Sequence, residues 1–115
     1  KRPLGLDVSR WQTDIDWQAA YAAGARFVFV RSSDGGSRGE PYADYRYRPH
    51  FDGAFRAGFL IGTYHLLRNT NPQRQAEFVA KIYDQRCTLP PVVDVELVII
   101  SGKDYDSVKH ADVVR

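Results

Sequence analysis

Short apolar runs alternate with segments of helical periodicity along the chain. The predicted strands are residues 4–8, 27–30, 60–65 and 91–96. The predicted helices are residues 17–23, 50–57 and 72–85. Such alternation is typical of βα units around a parallel sheet, and it predicts an α/β fold.

Local signals mark the ends of several elements. Asp16 is placed to cap the first helix, and Gly24 and Gly58 are placed to end the first and second helices. A polar, glycine-rich loop is predicted from residue 32 to about residue 47, and residues 102–115 form only a weak helical pattern. The loop and the tail are therefore the parts that the pattern defines least.

Four βα-type units would make half of an eight-stranded barrel. A complete (β/α) barrel usually needs about 200 residues or more, whereas this chain has 115. We therefore predict a parallel TIM-like barrel of which residues 1–115 carry about the first four units as one incomplete domain. The first and fourth strands would be open edges, so we expect either a longer natural chain or self-association if the chain really ends at residue 115.

Composition excludes several classes of protein. Hydrophobic residues make up 43% and charged residues 26%, as in ordinary globular domains. No apolar run approaches the roughly 18 residues of a membrane span. The N-terminus lacks the apolar core of a signal peptide, so such a segment was either removed or never present. The one cysteine, Cys87, allows no internal disulfide.

Charge gives little direction by itself. The net charge is +2, compatible with an anionic partner such as a bacterial wall and equally with a balance that serves only solubility. Nucleic acid is not an expected partner, because the arginines at 38, 46 and 48 are interleaved with Glu40 and Asp44 rather than forming a basic stripe.

Three acidic residues lie where acids are costly. Asp7, Asp94 and Glu96 each lie within or at the end of an otherwise apolar predicted strand. Positions two apart on a strand share a face, so Asp94 and Glu96 should point the same way, about 6–7 Å apart along the chain. Two carboxyl groups that close cannot both ionise easily, so one pKa should be raised, as a general acid for glycosidic cleavage requires. The alternative is a pair of strand-end acids that cap loops or bind arginines.

Two aromatic residues are expected at the same end of the sheet. Trp11 follows Asp7 by four residues, and Tyr64 ends the third predicted strand. Aromatic faces suit the apolar sides of sugar rings, although a single Trp or Tyr is more often part of a core. His65 should point to the opposite face from Tyr64. His50 and His110 have no ligand spacing, so we expect no metal site. Residues 34–36 follow a strand but lack the glycine fingerprint and a following helix, so we expect no phosphate-binding loop.

These motifs together resemble glycoside hydrolase family 25, the barrel-type lysozymes. The resemblance covers roughly residues 4–97, in four blocks in the same order. The blocks are GLDVSRWQ with IDW (residues 5–12 and 15–17), FVFVRSSDG (27–35), AG with GTYH (57–58 and 62–65) and LPPVVDVE (89–96). The loop of residues 36–49 departs from the family, being longer and richer in arginine, and residues 97–100 are more apolar than the family's pattern.

The resemblance implies a secreted, or phage-released, muramidase without cofactor. Its substrate would be the β-1,4 bond between N-acetylmuramic acid and N-acetylglucosamine in peptidoglycan. Glu96 would be the general acid, Asp94 would orient the substrate's N-acetyl group or stabilise charge, and Asp7 would support both. The expected substrate-binding residues are Tyr64, Asp34, Arg31 and Trp11.

Two other functions stay open at this point. A chitinase-like barrel is disfavoured because position 92 is Val rather than a third spaced acid. A non-catalytic wall-binding or scaffold half-barrel would keep the acids without a closed site.

Overall fold

The fold is given by a computed structural model that describes residues 2–96 and the backbone of residues 99–100 and 103–104. The strands are β1 (Leu4–Val8), β2 (Ala25–Asp34), β3 (Tyr42–Ala43), β4 (Leu60–Leu66), β5 (Val92–Asp94), β6 (Ile99–Ile100) and β7 (Lys103–Asp104). The helices are α1 (Trp17–Ala22), α2 (Tyr47–Ala57) and α3 (Pro72–Ile82).

Parallel strands that follow one another in the chain lie side by side in the sheet. The order is β1-β2-β4-β5, with the short β3 antiparallel to the end of β2, and β6 pairs only with β7. A helix connects each pair of neighbouring parallel strands, which confirms the predicted α/β fold. Within the described sheet β1 and β5 are the end strands, as the pattern predicted.

The hydrophobic core lies between the sheet and the helices. Val28 and Val30 of β2 and Ile61 of β4 are at most 1% exposed, and α2 adds the fully buried Phe51. Burial of one such side chain contributes about 1.5–3 kcal/mol. Helices α1 and α2 approach closely at Gly53, where a Cβ would lie 2.4 Å from the Trp17 ring.

Capping explains where the helices begin and end. The Asp16 carboxylate accepts a hydrogen bond of 2.9 Å from the Ala19 N–H, which confirms it as the cap of α1. Gly58 ends α2 in the left-handed region, at φ 94°, a conformation that glycine adopts without strain. Gly24 directly follows Ala23, the C-cap of α1, with φ 114°, so all three predicted helix ends have a geometric basis.

Strand β2 is longer than predicted. Residues 32–34 were expected to begin a loop, but Ser33 and Asp34 pair with β4 on one side and with β3 on the other. This pairing on both sides holds a polar segment in the sheet although it has no apolar pattern.

Several other boundaries were wrong by a few residues. Helix α2 begins at residue 47 rather than 50, and α3 ends at residue 82 rather than 85 because Tyr83 is extended, with ψ 130°. Strand β5 ends at Asp94, so Glu96 lies two residues beyond the strand on which it was placed. Residues 103–104 pair with residues 99–100 as strands, not as the start of a weak helix. The rest of that predicted helix, residues 105–115, lies outside the described residues.

Candidate active site

Side chains from the four parallel strands converge in a pocket of about 530 Å³ at the carboxyl end of the sheet. The sheet register sets Asp7 beside Phe29 and sets Leu66 beside Asp94, which fixes the two ends of the pocket. The lining residues are Asp7, Phe29, Tyr64, Val92, Val93, Asp94, Val95 and Glu96. All three predicted catalytic acids therefore lie around one pocket.

The Phe29 ring forms the floor of this pocket because β4 has no side chain opposite it. A Cβ at Gly62 would lie 2.5 Å from the Phe29 ring. Gly62 is thus required for close approach, and a larger residue would displace the floor of the site.

Asp94 and Glu96 meet at the end of β5. The Asp94 carbonyl accepts a 3.0 Å hydrogen bond from the Leu67 N–H, which fixes the strand end against β4. The pKa of Glu96 is raised, first by its hydrogen bond with the Asp94 carboxyl, then by burial and by the Asp94 charge, while Arg31 and Arg68 oppose the shift. A carboxyl group with a raised pKa keeps its proton to higher pH and can act as an acid.

Tyr64 lies between the acids of the two end strands. Its side chain is half-buried, and burial raises the pKa of its hydroxyl, with the negative charges of Asp7 and Asp94 adding to the effect and Arg31 opposing it. Tyr64 therefore stays protonated and can donate a hydrogen bond to a ligand in the pocket.

A second pocket, of about 380 Å³, adjoins the first and shares Tyr64, Asp94 and Glu96 with it. Its other lining residues are Ser9, Arg10, Trp11, Arg31, Asp34, Leu66 and Arg68. Trp11 is 72% exposed, so its ring is a platform at the surface rather than part of the core.

Asp34 lines this pocket but its carboxylate is already occupied. It is 2% exposed and accepts hydrogen bonds from Arg68 Nε (2.9 Å) and Nη2 (3.1 Å), the Tyr42 hydroxyl and the Gly36 N–H. Burial alone would raise the pKa of Asp34, but these hydrogen bonds and the Arg68 charge outweigh it and lower the pKa. The geometry makes Asp34 an anchor for Arg68.

Arg31 is anchored in the same way by an acid that the sequence did not single out. The Asp44 carboxylate accepts 2.8 Å hydrogen bonds from Arg31 Nε and from the N–H groups of Arg10 and Arg46. In the sequence Asp44 is one acid among neighbouring arginines, typical of simple charge balance. Only the pairing of β3 with β2 reveals its place under the site, and we find no sequence signal for it.

The sequence and the fold both match known proteins. The model of Glycosyl hydrolases family 25 matches residues 6–114. The chain belongs to this family. The expected α/β fold and family are thereby confirmed.

Two curated relatives and one solved structure show the extent of the likeness. Lysozyme M1 of Streptomyces globisporus is 33% identical over 99 residues, which is 80% of this chain and 32% of that protein. The autolytic lysozyme of Clostridium acetobutylicum is 30% identical over 105 residues, 90% of this chain and 31% of that protein. The structure of a muramidase from Acremonium alcalophilum has a TM-score of 0.73 at 26% identity, covering 98% of this chain and 55% of its own. The chain thus spans about a third of the length of these curated relatives.

Two buried histidines form hydrogen bonds with segments that lie next to the two pockets. His50 Nε2 donates to the carbonyls of Ser9 (3.0 Å) and Gln12 (3.1 Å), which fixes the loop that carries Trp11. His65, on the face opposite Tyr64 as predicted, lies 2.7 Å from the Ser33 hydroxyl and 2.8 Å from Gln75 Oε1. His50 and His65 hold neighbouring segments in place and line neither pocket.

All seven predicted site residues line one or both pockets of this family 25 chain. Asp7 lines only the first, whereas Trp11, Arg31 and Asp34 line only the second. The residues that the sequence reasoning missed are Arg10, Arg68 and Asp44. In the part of the chain that the structure describes, no helix is long and apolar enough to cross a membrane.

Proposed function

We propose that the complete protein is a muramidase that hydrolyses the β-1,4 bond between N-acetylmuramic acid and N-acetylglucosamine in peptidoglycan. The observation that carries the proposal is the Asp94–Glu96 pair, which lines a pocket at the end of the sheet and in which the hydrogen bond with Asp94 raises the pKa of Glu96. Membership of family 25 supports it, as do the names of the relatives, which include lysozymes.

Glu96 is the proton donor in this mechanism. Cleavage of a glycosidic bond requires a proton on the leaving oxygen, and the raised pKa of Glu96 keeps one available. The acid pair lies at one end strand and faces Asp7 of the other end strand across the same pocket. The bond to be cleaved would lie between them.

Asp94 and Tyr64 stabilise the sugar while the bond breaks. Asp94 orients the substrate's N-acetyl group, or balances the positive charge that develops on the sugar ring, and the Tyr64 hydroxyl donates to a polar substituent. Because Asp94 and Glu96 come from one strand end rather than from opposite sides of the bond, we favour assistance by the N-acetyl group over a covalent enzyme intermediate. Water then completes the hydrolysis, and no cofactor enters the scheme.

We further propose that the complete protein closes this sheet into a TIM-like barrel and acts at the wall outside the cell. The open edges of β1 and β5 and the exposed apolar side chains of Leu4, Val92 and Val93 (58%, 40% and 59% exposed) support further strands and helices on both sides. A chain of these 115 residues alone should associate through the same edges, which size-exclusion chromatography with light scattering would detect.

Replacement of one atom in Glu96 tests the activity. In the complete gene product, Glu96→Gln keeps the size of the side chain and removes the proton donor, so clearing of a peptidoglycan suspension should slow by at least about 100-fold. Glu77→Gln is the matched control, because Glu77 is exposed on α3 and lines neither pocket.

The outcomes separate the candidate functions. Equal clearing by the Glu96→Gln variant and the wild-type protein would remove Glu96 from the mechanism. Binding to walls without clearing by the wild-type protein would favour the non-catalytic wall-binding module instead.

A further inference from the structure

The second pocket is lined by Arg10, whose guanidinium group lies beside two aromatic rings. Arg10 lies with its Cζ 5.0 Å from the centre of the Trp11 ring and 5.9 Å from that of Tyr42. Among the described residues no carboxylate lies within ion-pair distance of the Arg10 side chain. No carboxylate of these residues therefore neutralises the charge of Arg10. Aromatic faces hold a guanidinium without neutralising it.

Arg31 adds a buried donor that also lacks an acceptor. The residue is 6% exposed and lines the pocket, with Nε bound to Asp44 at 2.8 Å. Its Nη2 is buried and has no hydrogen-bond partner among the residues that the structure describes. A buried guanidinium nitrogen without an acceptor is costly, so the site favours a ligand that brings an oxygen to this part of the pocket.

Some charged side chains of the second pocket are paired with an opposite charge and others are not. Arg68 is neutralised by Asp34 and Arg31 by Asp44, so these pairs give no strong net charge. The same pocket is also lined by the Asp94–Glu96 pair and by Arg10, whose guanidinium lies beside Trp11. A ligand that contacts both needs a hydroxyl or glycosidic oxygen for the acids and an anionic group for the arginine.

We propose that Arg10 binds a carboxylate carried by the substituent of the muramic acid residue, with Arg31 as a second donor, and that this contact selects muramic acid over neutral amino sugars. The inference deepens the proposed function and rests on it. A guanidinium fork matches a carboxylate in two parallel hydrogen bonds. The acidic substituent belongs to the same sugar whose glycosidic bond reaches Glu96, which is why a carboxylate is favoured over an anion elsewhere in the wall.

Two carboxylates of a muramoyl residue have the required chemistry. One is the free lactyl carboxylate of a glycan without peptide, and the other is an acidic group of the stem peptide when the lactyl group is amidated. The experiment therefore uses four soluble tetrasaccharides. They are chitotetraose, the alternating N-acetylglucosamine–N-acetylmuramic acid glycan, its lactyl methylamide, and the same glycan with an alanyl-glutamate stem.

Binding is measured by calorimetry in the complete gene product carrying Glu96→Gln, so that no turnover is required. Arg10→Gln should weaken binding of the anionic glycan about 10-fold and leave the neutral chitotetraose and methylamide unchanged, because only a charge-assisted contact is lost. Arg10→Lys should retain part of the preference, which a purely structural role in holding Trp11 would not explain. Arg56→Gln, an equal loss of charge on the exposed end of α2, is the control.

Each outcome decides the proposal. A loss confined to the free lactyl glycan assigns that carboxylate, and a loss with the peptide-bearing glycan assigns the stem. Equal affinity of all four glycans, or an equal effect of Arg10→Gln on the neutral ones, would overturn it. Failure of the muramidase proposal appears separately, as an absence of wall clearing by the wild-type protein.

Discussion

Two pairs of acids at the same end of the sheet differ in what each carboxyl group faces. Asp34 and Asp44 are 2% and 4% exposed, and each accepts hydrogen bonds from an arginine side chain. Asp94 and Glu96 lie at the end strand, where they face each other. The first pair belongs to the buried ion pairs Asp34–Arg68 and Asp44–Arg31, which we call the frame. The second pair borders both pockets.

The comparison shows how one small region shifts the pKa values of two acids, Asp34 and Glu96, in opposite directions. Arginine and N–H donors lower the pKa of Asp34 despite its burial, whereas the neighbouring carboxyl raises the pKa of Glu96. Asp34 can therefore hold Arg68 in an ion pair while an acid with a raised pKa lies close by. Acids with shifted pKa values cluster at functional sites, and structural ion pairs shift pKa values as well.

The largest effect is expected from breaking the frame at Asp44. Asp44→Asn removes the charge that holds Arg31, whose side chain is 7% exposed, and leaves a buried guanidinium without a counter-charge. Loss of one partner of a buried ion pair typically lowers the free energy of unfolding by about 3–5 kcal/mol. Urea denaturation of the complete gene product measures this change.

Asp14→Asn is the matched control for that measurement. The Asp14 side chain is fully exposed and lies 3.5 Å from Arg46, so its loss should leave the midpoint of denaturation unchanged. If Asp44→Asn behaved like Asp14→Asn, the buried acids would not form a frame, and the contrast with the second pair would lose its basis.

The burial of His65 beside this frame should make stability depend on pH. Burial lowers the pKa of His65, although Gln75 and Asp34 oppose the shift, so the unfolded chain binds the proton more tightly than the folded protein does. Stability is complete above the unfolded pKa of about 6.5 and falls as pH drops below it, by at most about 1.4 kcal/mol per pH unit.

His65→Gln should flatten this dependence while lowering stability at every pH. Free energies of unfolding at several pH values between 7 and 5 give the slope for each protein. The same slope in the variant and the wild-type protein would show that another group is responsible.

The sequence predicted the parts of the site that follow from local pattern. Asp7 and Asp94 are acids in short apolar runs that predicted their strands, and the period of two along a strand placed Asp94 and Glu96 on one face. The prediction that Glu96 shares a side with Asp94 is confirmed by the pockets that both line, although Glu96 lies beyond the strand. The raised pKa followed from the spacing of the two acids.

What the sequence did not predict depends on contacts between distant residues. Residues 32–34 look like a loop because they are polar, and they become strand because Ser33 meets His65 and Asp34 meets Arg68, 32 and 34 residues away. Asp44 gained its role in the same way, through Arg31 and the Arg10 N–H. No local pattern contains such partners.

The smallest effect on stability is expected from separating the second pair. Asp94→Asn removes the negative charge that raises the pKa of Glu96, so that pKa should fall toward its ordinary value. For wild-type protein the raised folded pKa means that stability is lost as pH rises through the range between the unfolded and folded values, because the ionised form is disfavoured in the fold. Asp94→Asn should therefore stabilise the protein at pH 7 but not at pH 4. Glu96 is exposed and screened by solvent, so we expect a gain below about 1 kcal/mol.

The upper limb of the pH–kcat/KM profile should shift to lower pH as activity falls, and NMR of the Glu96 carboxyl carbon reports its pKa directly. An unchanged Glu96 pKa in the variant would mean that the two acids do not interact, and would leave burial as the cause of the raised pKa.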